Sequence, residues 1–265
     1  MFGVVPKSMW NKVYPSDENN LIPLSMRCLL IVEGNRRILV DNGIGSKQED
    51  KFFSHYFLHG EETLDTSLAA VGYSRNDITD MFLTHLHFDH AGGSIRRSPD
   101  GNGFEPAFPN ADYWVSRVQW EWATSPNARE KASFLKENIL PIAETGRLKL
   151  FDNDFALISG VDIRIYNGHT MGQAIPFIQY KGRTVVYMAD TIPTSAHIPL
   201  PYIMSYDTQP LVSLKEKEEF LSKAVEESFI LFFEHDYFHE CCTVSQSEKG
   251  FRADLKGSLQ EIFMK

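Results

Sequence analysis

The chain has 265 residues, 43% of them hydrophobic, three cysteines and a formal net charge of −9, which is enough length and apolar content for one large domain spanning 1–265 with a substantial core. The acidic balance lacks the basic footprint that a nucleic-acid backbone demands, and no apolar run reaches the length of a membrane span, so the expected partner is a small molecule, with no nucleic acid and no membrane. Cys28, Cys241 and Cys242 cannot build a disulfide framework, and MFGVVPKSMWNKVYP carries no targeting pattern, so the expected setting is reducing and cytoplasmic.

In chain order, short apolar runs with turn punctuation read as strands. They cover 27–32 and 37–41 around Gly34, then 80–85, 112–116 and 161–168, then 174–180 and 184–190 around Lys181 and Gly182, and finally 229–236. Helical spacing marks 61–73, 117–123, 128–146 and 213–228. The last of these carries Leu214, Phe220, Leu221 and Val225 on its apolar side and 215–219, KEKEE, as a solvated face. The class is α/β, and turns at Gly34 and Gly182 imply antiparallel pairs beside crossovers, which favours mixed sheets over a simple doubly wound parallel one. The Pro-rich segments 98–109 and 192–210 read as long loops of the functional kind.

The stretch LTHLHFDHAGG, residues 83–93, holds most of the chemistry. His85 and His87 close an apolar run two positions apart, so on extended backbone their side chains project to one side and suit one ion. Asp89 and His90 follow; if the chain turns through Gly92 and Gly93, they point to a second ion. Two residues cannot complete a metal shell, and the chain supplies His169, Asp190 and His235, each where a strand ends. Five of the nine histidines therefore fall in the motif or at strand ends, a distribution that core or surface histidines would seldom produce. A capped helix start with satisfied histidines is the bland reading of the motif, and the distant partners weigh against it.

These residues resemble the metallo-β-lactamase superfamily in its HxHxDH form. VDNGIG with Asp41, THLHFDHAGG, GHTMGQ, MAD and EHD occur in that family's order between residues 27 and 236. The resemblance implies a four-layer αβ/βα sandwich with a dinuclear site in which His85, His87 and His169 hold one metal, Asp89, His90 and His235 the other, and Asp190 bridges. Within the superfamily, GVVPKSMW, IPLSMRCLLIV, DTIPTSAHIPLPYIMSYDTQP and FEHD look most like the N-acyl homoserine lactone lactonase and methyl parathion hydrolase branch. That likeness implies cleavage of a lactone, ester or organophosphate triester by a hydroxide bridging two divalent metals, with Asp89 passing the proton. Zinc is the first expectation, with manganese, iron or cobalt tolerated, and a homodimer is expected by resemblance. Met171 stands where proline is common and is expected to loosen its loop. Pro193 stands where some lactonases place a tyrosine, leaving Tyr202, Tyr206 and His197 as candidates for its work.

Other readings are weaker. Thioester hydrolysis of the glyoxalase II type calls for a C-terminal glutathione-binding helical region that is not evident after FEHD, and a non-hydrolytic diiron protein would need a flavin partner domain. A β-lactamase proper often has cysteine where Asp190 stands. Asp41 reads as a buried loop anchor or a support for a ligand, and Asp80 and Asp236 as histidine-orienting groups or turn caps. His55 and His59 read as packed or surface histidines, Trp114, Trp120 and Trp122 as packing, and Cys241 and Cys242 as structural.

Overall fold

The computed structural model describes residues 1–264. They form two compact units: a central one, Cys28–Asp152, and a terminal one combining Met1–Arg27 with the chain from Asn153 onward. The terminal unit begins with one helical turn, α1 (Lys7–Trp10), beside which Phe2, Val5 and Tyr14 are buried with Ala196.

The central unit runs through β1 (Leu29–Glu33), β2 (Arg36–Val40), α2 (Asp50–Phe53), α3 (Leu64–Ala70), β3 (Asp80–Phe82), α4 (Phe88–Ala91), β4 (Ile95–Arg97), β5 (Phe104–Pro106), β6 (Asp112–Ser116), α5 (Arg117–Thr124), α6 (Lys136–Glu144) and β7 (Leu148–Phe151). Its main sheet has the order β1-β2-β3-β6-β7. The hairpin read at Gly34 is present, with Glu33 opposite Arg36, and the other pairs are parallel. The wholly buried β3 explains why its sequence is a continuous apolar run rather than an alternation. Leu39, Met81, Leu83, Tyr113 and Val115 pack with Ile139 and Ile142 of α6. Each such buried aliphatic side chain contributes about 1.5–3 kcal/mol, which makes the end of β3 a firm base for the histidine motif.

The terminal unit continues through β8 (Phe155–Ile158), β9 (Val161–Tyr166), β10 (Gln173–Tyr180), β11 (Arg183–Tyr187), α7 (Pro210–Glu226), β12 (Ile230–Phe232), β13 (Cys241–Ser247), β14 (Gly250–Gly257) and α8 (Leu259–Met264). Its seven-stranded sheet has the order β14-β13-β12-β11-β10-β9-β8. Only β11 and β12 run parallel, joined by the crossover through α7; the other pairs are antiparallel. The β10–β11 turn has Lys181 at φ 49° and Gly182 at φ 78°, the left-handed pair that matches strand twist in a two-residue hairpin. The mixed pattern expected from the turns is thus observed in both units.

Several expectations need correction. The helix read over 128–146 is confined to Lys136–Glu144, because Asn127 Oδ1 accepts from the amides of Arg129 and Glu130 at 2.8 and 3.1 Å and holds them in a turn. The loop read over 98–109 contains β5, paired with β4. The 215–219 face is not wholly solvated, since Lys217 is 2% exposed. Among the described residues no helix is long and apolar enough to cross a membrane.

Candidate metal centre

In the central unit, β3 delivers Thr84, His85 and His87 on extended chain, and α4 starts directly after His87, so Asp89 and His90 sit on its single turn. Gly92 and Gly93 let the chain pass against the loop after β2: a β-carbon on Gly92 would collide with the Ile44 carbonyl, and one on Gly93 with that of Asn42. The buried ammonium of Lys47 donates to the Gly92 carbonyl, and burial pushes that lysine down to about 8.

His85 and His90 each have Nδ1 beside a fixed oxygen, which orients the ring. Thr84 donates its hydroxyl to Asp41 at 2.7 Å, so it accepts from Nδ1 of His85, 3.1 Å away. Asp41 also accepts from the Thr84 amide at 2.8 Å and lies 3.1 Å from Nδ1 of His90. Nε2 of His87 lies 3.4 Å from Glu130, a buried carboxylate that also accepts from Trp122 and Asn127. Nε2 of His85 and Nδ1 of His87 are left facing each other at 3.0 Å. Those two ring nitrogens can share one proton in a hydrogen bond or take one cation between them. Asp89, its side chain 31% exposed, has a carboxylate oxygen 3.9 Å from Nε2 of His90.

The terminal unit repeats the pattern. His169 follows β9, Asp190 follows β11 and His235 follows β12. Nδ1 of His235 donates to the Ser25 carbonyl at 2.8 Å, and Nδ1 of His169 lies 2.9 Å from Asp207. Their Nε2 atoms face the two oxygens of Asp190, at 3.0 Å for His235 and 3.1 Å for His169. Because a carbonyl only accepts, Nδ1 of His235 carries a proton, and its Nε2 meets Asp190 as the second N–H of an imidazolium or shares a cation with that carboxylate. Burial would push His169 down, but Asp190 and then Asp207 override it and hold the ring at about 10. The carboxylates thus keep a positive charge in a fully buried place. Ala189, just before Asp190, has φ 41°, a left-handed strain for a residue with a side chain.

The remaining candidates take other roles. Asp80 pairs with Arg36 at 2.6 Å through both carboxylate oxygens and accepts from Trp114. Asp236 caps the turn at Phe238 and His239 and receives the Ser195 amide. His55 and His59 are exposed. His197 is 1% exposed, stacked on Phe2 with ring centroids 4.3 Å apart. Tyr206 is exposed, while Tyr202 packs with the Phe2 cluster. In the loop that holds Met171 the Gly172 amide donates to Asn167 Oδ1 at 2.9 Å, and Gln209 Nε2 contacts the Met171 sulfur at 2.9 Å. Sequence reasoning did not single out Glu130, Asp207, Glu216 or the Ser25 carbonyl; the last three lie in segments it quoted, but nothing in their local pattern marks them as partners of a histidine.

The sequence pattern of the metallo-beta-lactamase superfamily matches residues 23–96. The N-acyl homoserine lactonase of Bacillus cereus is 29% identical over 234 residues, which cover 83% of this chain and 85% of that protein. A probable metal-dependent hydrolase from Staphylococcus aureus has the same fold at TM-score 0.88 and 30% identity, over 97% of this chain and 90% of that one. AidC, a dizinc quorum-quenching lactonase solved in complex with a product, superposes at TM-score 0.70 and 25% identity, over 87% of this chain and 79% of that one.

Proposed function

This chain belongs to the metallo-β-lactamase superfamily and is a metal-dependent hydrolase homologous to the N-acyl homoserine lactonases, and from that premise we propose that it opens lactones, with aryl esters and organophosphate triesters as the next substrates to try. We assign His85, His87, Asp89 and His90 of the central unit and His169, Asp190 and His235 of the terminal unit to the binding of two divalent ions. The donor set is imidazole and carboxylate without thiolate, which suits zinc.

One observation carries the reading. In each unit buried imidazole and carboxylate atoms converge to about 3.0 Å, His85 Nε2 with His87 Nδ1 in one, and the Nε2 atoms of His169 and His235 with the two oxygens of Asp190 in the other. Imidazole and carboxylate donors gathered this closely are the set a divalent ion takes. Bound there, divalent metals supply a deprotonated water nucleophile near neutral pH and polarise the substrate carbonyl. The protein's own residues do the rest. Asp190 faces His169 and His235 with one oxygen each, Asp41 orients the ring of His90, Asp207 and the Ser25 carbonyl orient those of His169 and His235, and Asp89, the carboxylate that solvent reaches, carries the proton toward the leaving oxygen.

The test is proton release by the zinc-loaded protein with an N-acyl homoserine lactone, with Asp190→Asn as the blank. Release that the substitution abolishes supports lactone opening. No release from lactones, but release from aryl esters or phosphotriesters, would move the substrate while leaving the metal chemistry in place.

A further inference from the structure

Residues 215–219 have the composition of a solvated helix face, yet two of them are spent inside the terminal unit. The Lys217 ammonium donates to the carbonyls of Pro199, Leu200 and Tyr202 at 2.8, 3.4 and 3.0 Å, which uses all three of its protons. Glu216, one position earlier on α7, accepts from the amides of Asn167 and Gly168 at 2.8 and 2.9 Å, the two residues that lead into His169. Burying a lysine is costly, and burial pushes this one down to about 7 against the opposing pull of Asp207. An apolar residue would fill the same helix position more cheaply.

The two loops that this helical turn grips meet at one ring. The segment 190–207 begins at Asp190, 3.1 Å from Nε2 of His169, and ends at Asp207, 2.9 Å from its Nδ1. Lys217 fastens the middle of that segment. Glu216 fastens the approach to His169 itself, and Gly168 lies so close to Ser213 of α7 that a β-carbon would collide with its backbone. The amides of Thr208 and Gln209, just before α7, donate to the carbonyls of His169 and Gly168 at 2.9 and 3.0 Å. One element therefore sets both the ligand and the two carboxylates that hold it.

We infer that Glu216 and Lys217 are a pair of positioning residues, a two-armed clamp that sets His169 between Asp190 and Asp207 and so tunes the metal affinity of the site. The inference rests on the metal-site reading above. A carboxylate matches two converging amide donors, whereas an amide offers one acceptor and turns a donor toward the other. A lysine at the centre of three carbonyls fixes a loop that has no sheet partner, a task an apolar side chain cannot do.

The experiment is zinc competition against a chromophoric chelator for the full chain and for Glu216→Gln, Lys217→Met and Lys217→Arg, with amide hydrogen exchange on the metal-free proteins. Zinc affinity is expected to fall about tenfold in Glu216→Gln and in Lys217→Met, a size usual for lost support of a metal ligand. Lys217→Arg, which retains donors, should recover most of it. Exchange should rise at Asn167 and Gly168 in the first variant and at Leu200 and Tyr202 in the second. Affinity unchanged from the parent in both variants, or Lys217→Arg as weak as Lys217→Met, overturns the clamp. A parent chain that binds no zinc would instead defeat the metal-site reading, and the clamp would then stand or fall on whether exchange rises at those four amides.

Discussion

Asp207 lies 2.9 Å from Nδ1 of His169, 38 residues away in the chain, and turns the opposite nitrogen of that ring onto Asp190. A carboxylate behind an imidazole fixes its orientation and raises its basicity as a ligand. Asp207→Asn should therefore weaken zinc binding by about 10–100-fold with the circular dichroism spectrum unchanged. Chelator competition decides it, and equal affinity in the variant would remove Asp207 from the site's support.

Asp190 presents one oxygen to His169 and the other to His235. Asp190→Asn replaces one of those oxygens by an NH2 group that cannot bind a cation. Turnover should fall by orders of magnitude while the protein stays folded, and bound metal should drop below two equivalents. Turnover equal to the parent's would refute the shared role of this carboxylate.

Metal uptake should release protons. In the metal-free protein His169 is held at about 10, so near neutral pH a metal must displace a proton from it. Below that value the proton competes, so apparent zinc affinity should climb with rising pH through the neutral range, by up to about tenfold per pH unit for each proton displaced. Calorimetry in two buffers of different ionisation heat counts those protons; identical heats in both would count against it.

His197 gives acid sensitivity a specific source. Burial, with Lys217 adding to it, pushes His197 down to about 3, whereas in the unfolded chain the ring titrates near 6.5. As pH falls below 6.5 the unfolded state gains a proton that the folded state refuses, so stability is retained above 6.5 and lost progressively toward 3. At pH 5 the loss is about 2 kcal/mol. His197→Asn keeps a polar group near Thr194 without the titration, and urea unfolding at pH 7 and pH 5 should show a smaller acid loss in the variant.

Gly92 is needed for close passage rather than for a turn. A β-carbon there meets the Ile44 carbonyl, so Gly92→Ala should destabilise by about 1–3 kcal/mol and disturb the Asp41 loop that supports His90. A melting temperature matching the parent's would show that the loop yields freely.

Much of the site was readable because its signal is local. The spacing of His85, His87, Asp89 and His90 lies within one strand end and one helical turn, and His169, Asp190 and His235 each close an apolar run, so period and residue type sufficed to single them out. The helical spacing also held a clue to Lys217: it lies three residues after Leu214 and four before Leu221, on the apolar side, and only its charge argued for solvent. What burial gave it in place of water was three carbonyls.

By itself the sequence determined the α/β class, the hairpins at Gly34 and Gly182 and the identity of the candidate ligands, since these follow from periodicity and from the chemistry of adjacent residues. Tertiary structure alone decided which nitrogen of each ring faces forward. For His90, His169 and His235 that choice belongs to Asp41, Asp207 and the Ser25 carbonyl, ordinary acceptors whose distance from their histidine depends on how loops pack and not on any local pattern.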